Sequence, residues 1–163
     1  MRAVRNVGVA IALCLTAQPA LAQSCMPQQV GADVFITLIP TLLDEAATRS
    51  TAVGAPSPLV EPAARLLHDR LAYESAKRTA SAAIGFRSIS GDKLPNVTDN
   101  TIVALMRESL PKEMLARQKF DRPFCSHLGR MFTSMAPMSA DQVGTMLASL
   151  MGLVNIKEFS ICP

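Results

Sequence analysis

Aromatic residues make up only 4% of this chain, with no tryptophan and a single tyrosine, and no segment alternates apolar with polar residues over the length of a strand. That combination argues against a sandwich or barrel and leaves helical periodicity as the organising signal. Long apolar runs are missing as well. The two greasiest stretches, residues 7–17 and 142–156, both fall short of the roughly 20 residues that cross hydrocarbon, so no stable membrane span is expected. A strong charge of one sign is also lacking. The formal net charge is +3, and Arg2 and Arg5 at the extreme amino terminus supply most of it. The remainder is nearly neutral, with no field to steer it toward nucleic acid or anionic lipid. No Cys-x-x-Cys-His, Gly-rich phosphate loop, His-Glu-x-x-His or Gly-x-Ser-x-Gly occurs, and these are the signatures of covalent haem, nucleotide, zinc and nucleophile-elbow chemistry. Internal repeats are absent too. No catalytic residue is assigned from the sequence.

What is present begins with an address. Arg2 and Arg5 precede the uncharged run 7–17, Pro19 interrupts it, and Ala20-Leu21-Ala22 places small residues at the −3 and −1 positions of a peptidase site. This is the pattern of a cleavable secretory signal, residues 1–22, cut before Gln23. Gln23-Ser24 spoils a lipobox ahead of Cys25, which argues against acylation there. Residues 23–163 match the size of one ordinary domain with its own core. The expected location is bacterial and periplasmic or secreted.

The chain has 4 cysteines, and cleavage would remove Cys14 while keeping Cys25, Cys125 and Cys162. In an oxidising compartment two of these pair and one is left over. The sequence favours Cys125 with Cys162, a bond that would pin the tail 156–163 and contribute about 3 to 4 kcal/mol in the chain-entropy model. Cys25 would then be a free or intermolecular thiol.

The expected architecture is all-α, a small bundle of about five helices. A stripe through Phe35, Leu38, Ile39, Leu42, Leu43 and Ala46 marks a first helix over 33–48, kinked or broken at Pro40. After a Gly- and Pro-containing connector at 51–61, a second runs from Pro62 to Ile84, with Gly85 as a left-handed cap. Its exposed side offers Arg65–Asp69, Arg70–Glu74 and Glu74–Arg78 at helical pair spacing. Residues 86–97 read as a loop. Short helices follow over 99–109, capped by Thr98 or Asp99, and over 112–118 after Pro111. Asp121-Arg122-Pro123 opens another over 124–135. The last, 139–154, starts with the capping box Ser139 to Gln142. It carries an apolar stripe (Val143, Met146, Leu147, Leu150, Met151, Val154) and a small-residue face (Gly144, Ala148, Gly152), which predicts a buried C-terminal helix at the bundle's centre.

Candidate chemistry is sparse. His127, Met131 and Met135 are spaced i, i+4, i+8 with Met138 close behind, a thioether and imidazole set that suits Cu(I); the competing reading makes these methionines core filler. Cys125 and His127 lie two apart, which on a helix points them to different faces. Leu128 also stands where secreted phospholipases place an Asp beside their histidine. His68 beside Asp69 invites a general-base reading, against the plainer one of an exposed histidine on a charged face. The stretch holding Arg107, Lys112, Arg117, Lys119, Arg122 and Arg130 is locally basic and could face an acidic partner. The leading expectation is a non-catalytic, protein-binding accessory factor of the periplasm, of the envelope-assembly or toxin-neutralising kind. It would bind another envelope or secreted protein through the loops at 51–61 and 86–97. A copper or small-ligand carrier is the alternative.

Overall fold

A computed structural model describes residues 25–90, 97–154 and 161–162, and the segment 1–22 expected to be a secretory signal lies outside them. Six helices appear in the order α1 (Gln28–Ala52), α2 (Pro62–Ala76), α3 (Thr79–Ser90), α4 (Asp99–Ala116), α5 (Arg122–Met135) and α6 (Ala140–Val154). Among the described residues the only β pairing is an isolated bridge between Met26 and Ile161. The all-α bundle read from the sequence is the fold observed.

The central element is α1. Every residue from Gly31 to Pro40 is buried, because this helix separates two apolar clusters. One face packs Ile36, Ile39 and Leu43 against Leu67 and Leu71 of α2, Phe132 of α5 and Val143 of α6. The other packs Val34 and Leu38 against Ala83 and Phe86 of α3 and Ile102 and Val103 of α4. The central place expected for α6 thus belongs to α1. Helix α6 does bury Ala140, Val143, Gly144 and Ala148, but Leu150 and Leu153 on its other side are 48% and 82% exposed. The one charge within the buried stretch of α1, Asp33, is neutralised by Arg78, whose Nη1 donates to it at 2.7 Å. Arg78 also reaches Asp141 at 2.8 Å and Glu74 at 3.6 Å, so one guanidinium in the α2–α3 turn ties α1, α2 and α6 together. Burial alone would lower its pKa, but the hydrogen bond to Asp33 and the charges of Asp141, Asp33 and Glu74 outweigh that and hold it above the ordinary value.

Helix boundaries depart from the sequence reading where proline and glycine were taken as breakers. Helix α1 continues through Pro40, and α4 continues through Pro111 as one helix. Both prolines are buried, and that burial offsets the lost backbone bond. Helix α2 stops at Ala76, and α3 runs on through Gly85 to Ser90, so part of the expected 86–97 loop is helical; residues 91–96 lie outside those described. Gly85 serves as a crossing point: a Cβ there would collide with Val34 Cγ2. The caps follow the sequence closely. Thr98 accepts from Thr101 N at 3.3 Å, Asp121 from Phe124 N at 3.0 Å, and Ser139 and Gln142 exchange bonds of 2.8 and 3.2 Å.

The disulfide joins Cys25 to Cys162, and Cys125 is a buried thiol. This corrects both the expected Cys125–Cys162 bond and the free Cys25. The cause is topological. Helix α6 lies antiparallel to α1, with Gln28 donating to Ser149 at 3.0 Å at one end and Gly144 meeting Ala32 further along. The chain leaving α6 therefore returns to the start of α1, where Cys162 N donates to Met26 O at 2.9 Å. Cys125 instead sits beside Ser50, about 33 Å along α1 at 1.5 Å per residue.

Candidate functional site

Among the described residues a concavity lies between the α1–α2 connector and α5, and another between the start of α1 and the end of α6, lined by Gln28, Ser149, Leu153 and Cys162. The first wall of the former is the connector. Helix α1 ends at Ala52, and Gly54 turns the chain at φ +65°, a left-handed angle that costs glycine nothing. Ala55 N then donates to Ser50 O at 2.9 Å and Gly54 N to Thr51 O at 3.1 Å, the paired bonds of a Schellman ending. A second turn follows, with Val60 N donating to Ser57 O and Leu59 N to Ser57 Oγ. Pro58 is fully buried. Its backbone lies on Gly129 of α5, where a Cβ would be in ordinary contact at 3.5 Å. Two prolines, a capped turn and this seat make the wall stiff.

The second wall is α5, and its contributing residues are Arg122, Ser126 and Arg130, spaced i, i+4, i+8 and hence one stripe. Two adjoining chambers result. One, of about 560 Å³, lies between Gly54, Ala55 and Pro56 and the side chains of Arg122 and Ser126. The other, of about 350 Å³, is lined by Val60, Glu61, Ser126 and Arg130, with Cys125 at its floor. Cys125 is 1% exposed and its Sγ is 3.0 Å from the Ser50 hydroxyl, an environment in which cysteine behaves as a small apolar residue.

The local basic excess divides once the contacts are known. Arg107 reaches Ser75 Oγ at 3.5 Å, Lys112 pairs with Glu108 at 3.5 Å, and Arg130 Nη2 donates to His127 Nδ1 at 2.9 Å. The side chains of Arg117, Lys119 and Arg122 have no hydrogen bond or ion pair among the described residues.

The proposed copper set does not converge. Met135 is in the core and Met138 packs against it, whereas His127 and Met131 are on the surface. The Arg130 guanidinium beside the His127 ring also opposes a cation. Among the described residues no group of three His, Cys, Asp or Glu side chains could hold a metal.

His68 is one-fifth exposed rather than solvent-facing. Its Nδ1 lies 3.0 Å from Asp69 and its Nε2 3.1 Å from Asp44. Asp69 is on the same helix, so only the Asp44 contact links α2 to α1, and the two carboxylates flank the ring. Of the expected pairs along α2, Glu74–Arg78 forms, while Arg70 instead donates to Ala136 O at the end of α5.

Fold and site together define a disulfide-closed helical bundle with a rigid, cation-edged cleft. No family model, no curated protein and no solved structure among known proteins matches this chain.

Proposed function

We propose that this chain is an exported periplasmic protein that acts without catalysis, binding another envelope or secreted protein in the manner of an assembly factor or a toxin-neutralising factor. The observation that carries the reading is the cleft: a preorganised wall of Gly54, Pro56 and Val60 opposite an arginine stripe. A stiff, mixed apolar and cationic surface binds a protein segment with little ordering cost. Of the groups that could do chemistry, His68 sits between two aspartates outside the cleft, and Cys125 at the cleft floor is buried against Ser50. Export draws support from the leader pattern and from the Cys25–Cys162 bond, since such bonds persist in oxidising compartments. Among the described residues no helix is long and apolar enough to cross a membrane. The copper-carrier reading gains nothing from a set whose thioethers are split between core and surface.

The test is photo-crosslinking in the cells that make the protein. A crosslinking amino acid replaces Ser57 in the cleft, Tyr73 on α2, or Leu153 on α6, and conjugates are identified by mass spectrometry. One protein recovered reproducibly, from the periplasmic fraction, is the expected result. A chain that still begins at Met1 in the cytosol with reduced thiols would overturn the address. Failure of all positions to crosslink would overturn the binding role.

A further inference from the structure

We infer that the cleft between the α1–α2 connector and α5 is a docking groove for an acidic, extended segment of the partner protein, held by Arg122 and Arg130. The inference rests on the protein-binding reading above and adds the chemistry of the partner.

Charge complementarity selects that occupant. Arg122 is unpaired among the described residues, and the unpaired cations Arg117 and Lys119 precede it in the chain. Among the described residues Arg130 is engaged only by a histidine nitrogen. Glu61 is the one carboxylate among the described residues lining either chamber, and it belongs to the Arg130 chamber. The net positive field is therefore centred on Arg122. The amide of Phe124 is satisfied by Asp121 and Pro123 has none, so the arginines and not the helix start must supply the donors. Guanidinium offers a planar fork that matches a carboxylate.

Spacing selects the conformation. Arg122 and Arg130 are about 12 Å apart along the helix axis at 1.5 Å per residue. Four residues of extended chain cover about 13 Å and return to the same face. A segment with acids at i and i+4 can meet both arginines while its alternate side chains face the opposite wall of Pro56 and Val60. That apolar wall favours a peptide over a sulfated or phosphorylated glycan, which brings no apolar groups, and over a lipid surface, which cannot enter a walled groove.

The probe is a fluorescent heptapeptide alternating glutamate with leucine, titrated into the purified, oxidised protein. Its controls are the lysine–leucine counterpart, a heparin-type polysaccharide and phosphatidylglycerol vesicles. The acidic peptide should bind and shift the amide resonances of 54–60 and 122–130. Its affinity should fall at least tenfold in the Arg122→Glu, Arg130→Glu variant and weaken as salt is raised. Arg122→Gln with Arg130→Gln gives the same reading if charge reversal impairs folding. Equal binding by the lysine peptide, unchanged affinity in both variants, or absence of shifts at the cleft would overturn the proposal. So would tighter occupancy of the same residues by the polysaccharide or the vesicles. Crosslinks from Tyr73 or Leu153 with none from Ser57 would sink the groove while leaving the protein-binding role standing.

Discussion

Gly144 sits where α6 crosses α1, and a Cβ at this position would lie 2.7 Å from Ala32 O and 2.8 Å from Ile36 Cγ1. The first neighbour is backbone and cannot rotate away, so any larger residue must push the two helices apart. Gly144→Val should cost about 1 to 3 kcal/mol, read as a lower urea midpoint with an unchanged slope. Gly129→Ala, where the nearest atom is 3.5 Å away, should instead raise that midpoint, a gain of about 0.5 to 1 kcal/mol for an interior helical glycine. The charged residues make a second prediction. The Glu74 carboxyl is held below its ordinary 4.5 chiefly by the hydrogen bond from Lys77; partial burial pushes the other way, and the charges of Lys77 and Arg78 add to the lowering. A depressed carboxylate contributes stability above its unfolded pKa and loses it as pH falls through the folded one. Lys77 and Arg78, both raised, keep their contributions until strongly alkaline pH. Glu74→Gln should therefore be less stable than the parent by a constant amount from about pH 5 to 9. The two unfolding curves should converge as pH falls below the ordinary carboxylate range, and persistence of the gap in strong acid would refute the assignment.

At the scale of elements, two helix ends are closed by arginines from other helices. Arg49 on α1 donates to Leu115 O at 2.9 Å and Lys112 O at 3.2 Å, and its guanidinium stands 5.8 Å from the Phe120 ring centroid. Arg70 likewise meets Ala136 O. Late carbonyls of a helix lack intrahelical partners and carry partial negative charge, so a cation answers both needs. Arg49→Met should cost about 1 kcal/mol and raise amide exchange in the last turn of α4, leaving α3 protected; uniform acceleration across the fold would contradict a local cap. These long-range caps were not legible in the sequence, because nothing local distinguishes Arg49 or Arg70 from surface arginines. Local signals read well: Thr98, Asp121 and the Ser139–Gln142 box, whose partners lie three residues away. Pro111 and Gly85 misled, since a breaker's penalty is a local propensity that packing against a neighbouring helix overrides. The central role of α1 was concealed by Asp33, whose charge marks a helix as surface-facing until Arg78, 45 residues away, is placed against it. The connector at 51–61 was legible as a Gly- and Pro-containing link between two helices, but the arginine stripe opposite it needed the fold.

Across the whole molecule, the Cys25–Cys162 bond spans 137 residues and closes nearly the entire length that would remain after cleavage at Ala22. In the chain-entropy model the contribution of a crosslink grows with the loop it closes, reaching about 5 kcal/mol here, a large share of the 5 to 15 kcal/mol typical of a whole domain. The spacing of three cysteines could not decide their pairing, because what brings the ends together is the antiparallel packing of α6 on α1. That same packing makes the ends' proximity independent of the bond: Gln28 meets Ser149, and the Cβ position of Gly31 lies 3.5 Å from that of Ala148, without it. Reduction should therefore loosen the molecule without rearranging it. The Cys25→Ser, Cys162→Ser variant should keep its helical circular dichroism at low temperature but unfold at markedly lower denaturant. Cys125→Ala, made beside it, should retain the crosslink in a non-reducing peptide map and lose only the small packing contribution of one buried sulfur. Were Cys125→Ala instead to abolish the crosslink, or the double variant to match the parent's midpoint, the pairing of the two chain ends would be wrong, and with it the antiparallel register that places α6.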